Sequence, residues 1–316
     1  MRSETPSVSD ISPKLRIYSM PLPSFIIGGA PKAGTTALWA YLAEHPEVFM
    51  PSYKEPHFFS RLQGDLGNGI VKPGPIRTIT YYNGLQWYED LFKPGSGAKA
   101  KGEASTHYLS APDAAGLIKE YVPDVRLIFL LRDPVDRLYS QYWQTYRLGT
   151  SMPDFESMFK SNHSAFTYFC YVSKYKMHLE RFFSTFAADQ ILVLLDTDLK
   201  NHPEGTLQKV HRFIGVDPEF IPSVLGKAFN PNTFPRIRFL ENVLTVMRNS
   251  WPSKAMPDKW RKPLGLLRRF VSKLNAIKDR YPPLPTAIRS GLAGRFDEDT
   301  TFVEGLLGVN LDSWRC

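Results

Sequence analysis

Short apolar runs alternate with amphipathic stretches along the chain up to about residue 215. Three runs are rich in Leu or β-branched residues, which is typical of buried parallel strands, and they span residues 24–29, 125–131 and 191–195. Residues 99–103 predict a fourth, weaker strand. Stretches with helical periodicity follow at residues 35–45, 135–147, 173–186 and 204–214. Pro203 stands just before the last of them, where a helix start favours proline.

This alternation predicts an α/β fold in which a P-loop-like parallel β-sheet is sandwiched by helices. Residues 61–98 are rich in Gly, Pro and Tyr and predict a long excursion over the carboxyl edge of the sheet, where such folds bind ligands. From about residue 230 Pro, Trp and basic residues dominate, so residues 230–316 are expected to form a mostly helical, basic cap. We therefore expect a polar flexible leader over residues 1–23 and a single domain over 24–316.

Composition narrows the cellular setting. With 43% hydrophobic and 22% charged residues the chain has the make-up of a soluble globular protein, and its 316 residues are ample for a large core. Two cysteines cannot form a disulfide framework, which indicates a reducing compartment. No run reaches the ~20 apolar residues of a membrane span, and residues 1–23 have no signal-peptide core. The prediction is a cytoplasmic protein without a transmembrane segment.

The net charge of +8 is concentrated in one block. Residues 236–289 hold thirteen Lys or Arg against three acidic residues, so this block carries +10 and the rest of the chain is nearly neutral. Such a block attracts anionic substrates, membranes or nucleic acid, or forms a solvated helical face. The sequence leaves these alternatives open.

The first candidate site is the turn between the first strand and the first helix. Gly29 and Gly34 have the GxxxxG spacing of a P-loop, but Thr35 stands where that motif has its lysine, and the only lysine, Lys32, lies inside the loop. A strand, a glycine-bounded turn and a helix start together aim backbone N–H groups at an anion. The alternative is a glycine-rich turn without a ligand. The candidate anion-binding residues are Pro31, Lys32, Ala33, Gly34, Thr35 and Thr36.

The second candidate site follows the strand at 125–131. Arg132 ends this strand, and Ser140 lies two turns into the next helix. A guanidinium fork with a short hydroxyl donor suits a phosphate. The alternative places Arg132 in an ion pair with Asp133 or Asp136, although Arg137 is the favoured partner for such structural pairing.

The third candidate site is the segment at 54–59. Glu55 and His57 are separated by one residue, so in an extended segment they would share a face and could both meet a substrate proton. The alternative is a surface pair of Lys54 with Glu55 beside a half-buried histidine. The spacing alone does not decide between these readings.

These three motifs, in this order and spacing, resemble the sulfotransferases that use 3′-phosphoadenosine 5′-phosphosulfate (PAPS). Within that group the chain is most similar to the branch of heparan sulfate N- and O-sulfotransferases and their bacterial relatives. Further similarity lies in residues 173–182, 191–195 and 306–314, so the resemblance spans roughly residues 24–314.

The resemblance implies a role for each candidate residue. The turn at residues 32–36 would hold the 5′-phosphosulfate, with Lys32 on the bridging oxygen, and Arg132 with Ser140 would hold the 3′-phosphate. Glu55 falls where the heparan-type enzymes have their catalytic base, and His57 falls on their nearby histidine. The remaining matches are Tyr175, in a later helix motif, and Arg236, where relatives close a loop over the nucleotide. PAPS would be the donor, 3′-phosphoadenosine 5′-phosphate (PAP) the product, and no metal would be needed.

One departure from the heparan-type pattern affects the acceptor. Ala104 stands where those enzymes have a second active-site lysine, which puts a glucosaminyl acceptor in doubt. We expect sulfuryl transfer to a hydroxyl, in preference to an amine, of a carbohydrate or small natural product. Parts of the sequence are compatible with two other functions. A P-loop kinase or NTPase needs the lysine after Gly34, which is missing, and an aspartate such as Asp133 or Asp196 for its metal. A non-enzymatic protein could bind nucleic acid or membranes through the basic block.

Overall fold

The computed structural model describes residues 22–60, 80–147, 152–227, 233–235, 271, 276–278 and 281–316. These residues fall into two compact units. The first contains residues 22–60, 80–132 and 175–227, and the second contains residues 133–147, 152–174 and the described residues beyond 232. A single domain over 24–316 stays a prediction.

A five-stranded parallel sheet forms the centre of the first unit, with strand order β2-β3-β1-β4-β5. Its strands are β1 (Phe25–Gly29), β2 (Val48–Phe49), β3 (Ala100–Ala104), β4 (Arg126–Leu131) and β5 (Ile191–Leu195). In register, Phe25 lies opposite Gly102 on one side and Arg126 on the other. Strands β1 and β4 are buried almost throughout, which is why they appear in the sequence as continuous apolar runs.

Helices flank this sheet, as the strand–helix alternation predicted. In the first unit they are α1 (Thr35–Ala43), α2 (Leu85–Asp90), α3 (Ala114–Tyr121), α7 (Tyr175–Phe183), α8 (Asp196–Asn201) and α9 (Pro203–Ile214). Proline is the first residue of α9, and Gly215 ends this helix in the left-handed conformation with φ of 80°. The four predicted strands and the four predicted helices are confirmed, with no end more than three residues from its predicted position. The strand β2 was missed because two residues are too short to show a pattern.

The second unit packs around an aromatic core. Its helices are α4 (Pro134–Arg147), α5 (Phe155–Ser161), α6 (Ser164–Val172), α10 (Thr286–Ala293) and α11 (Asp297–Leu307), and β6 (Thr233–Pro235) pairs with β7 (Ala276–Lys278) as an antiparallel ribbon. The core contains Phe166, Phe169 and Leu292, all fully buried. The expected helical character of the C-terminal part is therefore confirmed in residues 286–307.

Several sequence predictions fall outside the described residues. These are the leader up to residue 21, residues 61–79 of the long excursion, and most of the basic block, including Arg236. Within the described part of the chain, no helix has both the length and the apolar character needed to cross a bilayer.

Candidate functional site

Polar and charged side chains of the first unit gather where its parallel strands end. Lys32 follows β1, Ser105 follows β3, Arg132 follows β4 and Asp196 follows β5. Because the carboxyl ends of parallel strands meet at one edge of a sheet, these residues share that edge. The ligand-binding edge predicted from the sequence thus carries a dense set of ionisable groups.

The glycine turn leads from β1 directly into helix α1. Gly34 is the N-cap residue with φ of 93°, and no side chain caps the helix by a hydrogen bond. Lys32 also has a left-handed backbone, with φ of 73°. A side chain other than glycine is strained in this region, and such strain is concentrated at binding sites. Pro31, Ala33 and Thr35 are buried, whereas Lys32 and Thr36 are half-buried.

Arg132 contacts this turn. Its Nη1 donates to the backbone oxygen of Lys32 at 3.4 Å, and its Nε lies 3.8 Å from Asp196 Oδ2. The hydroxyl of Tyr175 donates to the backbone oxygen of Arg132 at 2.7 Å. The arginine at the end of β4 and the glycine turn therefore belong to one cluster. The hydroxyl of the buried Tyr175 therefore supports the main chain of Arg132.

Glu55 is surrounded by donors from two segments. Its Oε1 lies 3.3 Å from Lys54 Nζ and accepts from the hydroxyl of Thr106 at 3.5 Å, while its Oε2 lies 3.4 Å from His57 Nε2. The ammonium of Lys54 also donates to the hydroxyl of Thr36 at 3.1 Å. Lys54 therefore connects the carboxylate of Glu55 with the first turn of α1.

The backbone of this segment differs from the sequence prediction. Glu55 and His57 have φ of 58° and 53°, so the segment is not extended at either residue. The side chains come together through two left-handed residues, not through the alternation of a strand. His57 is also more deeply placed than a half-buried histidine, with 3% of its side chain exposed.

A buried hydrogen-bond network holds the segment in this shape. The amide of His57 donates to the hydroxyl of Ser105 at 3.0 Å, and the amide of Phe59 donates to the hydroxyl of Tyr108 at 3.1 Å. Both hydroxyls donate in turn to the carboxylate of Glu103, at 2.6 and 2.9 Å. The amide of Glu55 donates to the backbone oxygen of Ala104 at 3.0 Å.

Glu103 is the centre of this network and is almost fully buried. A third hydroxyl, that of Tyr88, donates to its Oε1 at 2.7 Å. Burial nevertheless raises the pKa of Glu103 to about 7, and the nearby charge of Glu55 adds to the shift, although the three hydroxyl bonds oppose it. No sequence motif predicted a role for this residue. The signal that could have found it is a glutamate in a strand whose other residues, apart from Lys101, are alanine and glycine.

Ser140 and Arg137 both lie on α4 in the second unit. Ser140 is buried, and the guanidinium of Arg137 is fully buried, donating to Ser173 Oγ and to the backbone oxygen of Phe169, each at 2.6 Å.

The predicted partner of the α4 aspartates was wrong. Arg289, not Arg137, pairs with Asp133 at 2.6 Å and with Asp136 at 2.7 Å. The guanidinium of Arg137 is buried and takes Ser173, Gln141 and the backbone oxygen of Phe169 as its partners instead.

Comparison with known proteins identifies the family to which this chain belongs. A family model described as the sulfotransferase domain matches residues 22–228, which include the sheet and all the clusters of the first unit. The chain belongs to this family. The expectation drawn from the three motifs is therefore confirmed, and family membership implies PAPS as donor and PAP as product.

Relatives of this sulfotransferase chain include two groups of heparan sulfate enzymes. Heparan sulfate glucosamine 3-O-sulfotransferase 3B1 of Mus musculus is 32% identical over 203 residues, which are 63% of this chain and 47% of that protein. Bifunctional heparan sulfate N-deacetylase/N-sulfotransferase 4 of Mus musculus is 28% identical over 213 residues, covering 63% and 23%. The match thus spans about half the length of the first relative and less of the second.

A solved structure supports the fold. The crystal structure of a sulfotransferase from Alicyclobacillus acidocaldarius has a TM-score of 0.68 to this chain, with 24% identity, and covers 93% of this chain and 99% of its own. At that identity the likeness shows the α/β architecture with its P-loop-like turn.

The residues of the first unit fit an anionic donor of this class. The start of α1 carries no side-chain cap, so a ligand can take the place of one. Lys54 contacts Thr36, and Arg132 contacts the backbone of Lys32, so two cationic side chains reach the turn that itself contains Lys32. Asp196 is already engaged, since Lys200 and Arg132 both pair with its carboxylate.

Proposed function

We propose that this protein is a PAPS-dependent sulfotransferase that transfers a sulfuryl group in line to an acceptor hydroxyl. The observation that carries the proposal is the contact chain from Thr36 through Lys54 to Glu55, which joins a helix start suited to an anion with a carboxylate suited to a proton. Positioning and charge neutralisation are the main tasks of such transfer, because the donor supplies its own leaving group.

Each residue has a separate task in this proposal. Lys32 and the turn up to Thr36 bind the phosphosulfate end, with Lys32 offsetting charge on the leaving phosphate. Arg132 is assigned to the 3′-phosphate, and Tyr175 holds the main chain of Arg132 in place. Glu55 accepts the proton of the acceptor hydroxyl. The roles of Ser140 and Arg236 are those implied by the family resemblance.

His57 is assigned to the orientation of Glu55. Its Nε2 faces Glu55 Oε2 at 3.4 Å, and its buried ring cannot swing into solvent.

The acceptor is proposed to be a carbohydrate hydroxyl, because the 3-O-sulfotransferase relatives act on heparan sulfate glucosamine. A small natural-product alcohol is the alternative acceptor.

Labelled PAPS with a panel of acceptors tests the function. The panel contains a heparan sulfate oligosaccharide, p-nitrophenol and a glucosamine with a free amine. Glu55→Gln is expected to lower turnover by roughly 10²–10⁴-fold, the usual contribution of a general base, with PAP affinity unchanged. Lys32→Ala and Arg132→Ala are expected to abolish transfer while the fold survives.

The exposed Lys99 provides a matched control, since Lys99→Ala removes a lysine that pairs with Glu47 on the surface. If Glu55→Gln keeps near-normal turnover, the role of general base would be assigned to His57. A wild-type chain that binds neither PAP nor PAPS would contradict the function.

A further inference from the structure

Lys54 lies between two groups of the proposed reaction but has no chemical role in that reaction as described above. Its Nζ is 3.1 Å from Thr36 Oγ1 and 3.3 Å from Glu55 Oε1, so one ammonium connects the first turn of α1 with the candidate base. These two partners belong to different segments of the fold. A surface lysine paired only with its neighbour in sequence would contact Glu55 alone.

The burial of Lys54 separates it from other paired lysines of the first unit. Its side chain is 21% exposed, whereas the side chains of Lys93 and Lys99 are 61% and 57% exposed in their own ion pairs. A lysine loses solvation and side-chain entropy when it is confined in this way. Two polar partners offset that cost.

Electrostatics gives this lysine a task. A carboxylate base placed beside an anionic donor repels the donor, and the repulsion is strongest where water is excluded. An ammonium between the two anions offsets this repulsion. The hydroxyl of Thr36 carries no charge, unlike the carboxylate of Glu55, so it is on the side of Thr36 that the ammonium can contact an anion.

We propose that Lys54 is a second cationic residue of the transfer step, one that contacts an oxygen of the sulfuryl group while keeping Glu55 in place. The inference rests on the proposed function. In that step the acceptor oxygen forms a bond to sulfur and its proton moves to Glu55. The bond from sulfur to the 5′-phosphate oxygen breaks, and its electron pair stays on PAP. Lys54 stays protonated throughout.

The difference between PAPS and PAP isolates this contact, because the two molecules differ only in the sulfuryl group. Lys54→Met is expected to weaken PAPS binding by about tenfold or more, the loss of one charge-assisted hydrogen bond, and to change PAP binding by less than about threefold. Calorimetry with each nucleotide in the absence of acceptor measures both affinities. Lys54→Arg is expected to restore most of the PAPS affinity.

Lys99→Met is the matched control, because it removes an exposed lysine of the same unit and is expected to leave both affinities unchanged. A thermal unfolding curve like that of the wild type establishes that Lys54→Met is folded. A purely structural role for Lys54 would weaken PAPS and PAP alike.

The outcomes separate this inference from the proposed function. Equal losses for both nucleotides, or no loss for PAPS, overturn the role of Lys54 while wild-type binding leaves the function standing. A wild-type protein that binds neither nucleotide overturns both. A selective loss for PAPS that arginine repairs supports the assignment.

Discussion

At the scale of single residues, the candidate site depends on main-chain geometry as much as on side chains. Lys32, Glu55 and His57 all have φ between 53° and 73°, where non-glycine residues are uncommon. Such conformations cost free energy and persist because surrounding contacts enforce them. For His57 that contact is the hydrogen bond that its backbone amide donates to the hydroxyl of Ser105. For Glu55 it is the hydrogen bond that its backbone amide donates to the backbone oxygen of Ala104.

The buried carboxylate behind this segment makes a pH-dependent prediction. The pKa of Glu103 is raised to about 7 from an ordinary 4.5 by burial, so between these pH values the folded protein keeps a proton that the unfolded chain has released. Glu103 therefore contributes a fall in the free energy of unfolding as pH rises from about 4.5 to about 7, on the order of 3 kcal/mol.

Glu103→Gln is expected to remove this contribution, because the amide does not titrate, so the free energy of unfolding of the variant rises more steeply with pH than that of the wild type. Urea unfolding at several pH values between 4.5 and 7.5 measures it, with the exposed Glu120→Gln as control. Parallel slopes in the wild type and in Glu103→Gln would show that the carboxyl does not titrate in this range.

At the scale of elements, helix α9 shows how packing decides the charge of a histidine. His211 is fully buried on this helix, and its ring meets that of His45 edge-on, with centroids 4.7 Å apart. His45 is held by a hydrogen bond to the backbone oxygen of Asp217 at 3.0 Å. Burial, with the neighbouring His45, lowers the pKa of His211 to about 4.

Acid is therefore expected to destabilise the packing of α9. Between pH 6.5 and about 4 the unfolded chain binds a proton at His211 that the folded protein excludes. This histidine therefore contributes a fall in the free energy of unfolding as pH decreases, on the order of 3 kcal/mol and opposite in direction to the contribution of Glu103. His211→Phe should remove this contribution, so the pH dependence of the variant should differ from that of the wild type by this amount. Hydrogen exchange and urea unfolding across this pH range measure it.

The control for this change is the exposed His202, just before α9, whose substitution by Asn should leave the slope intact. An unchanged acid slope in His211→Phe would assign the destabilisation to carboxylates instead.

At the scale of the whole molecule, ligand binding should appear as added stability. A ligand that binds only the folded state at a hundredfold excess over its Kd contributes about 2.7 kcal/mol. PAP at that excess is expected to raise the Tm by several degrees, with Arg132→Ala abolishing the shift. Differential scanning fluorimetry with PAP, and with adenosine as the control lacking phosphate, measures this. Equal shifts for both compounds would show that the phosphates are not recognised.

The family also belongs to this scale. The sheet order β2-β3-β1-β4-β5 gathers the ends of four long-separated segments at one edge, and the sulfotransferase model covers all of them. Sequence motifs alone identified this family correctly because each of them follows a strand. The chemistry of such sheets is confined to their carboxyl edge.

What the sequence determined by itself is local. Continuous apolar runs place β1, β4 and β5, since strands buried on both faces have no polar alternation, and the spacing of Gly29 and Gly34 places the turn into α1. Only the tertiary structure decided which residues from separate segments of the sequence come into contact. Lys54 meets Thr36, and Arg132 meets Asp196, because strand register and the left-handed residues at 55 and 57 bring them together. Residue patterns encode which face is buried, but contacts across a sheet depend on the path of the whole chain.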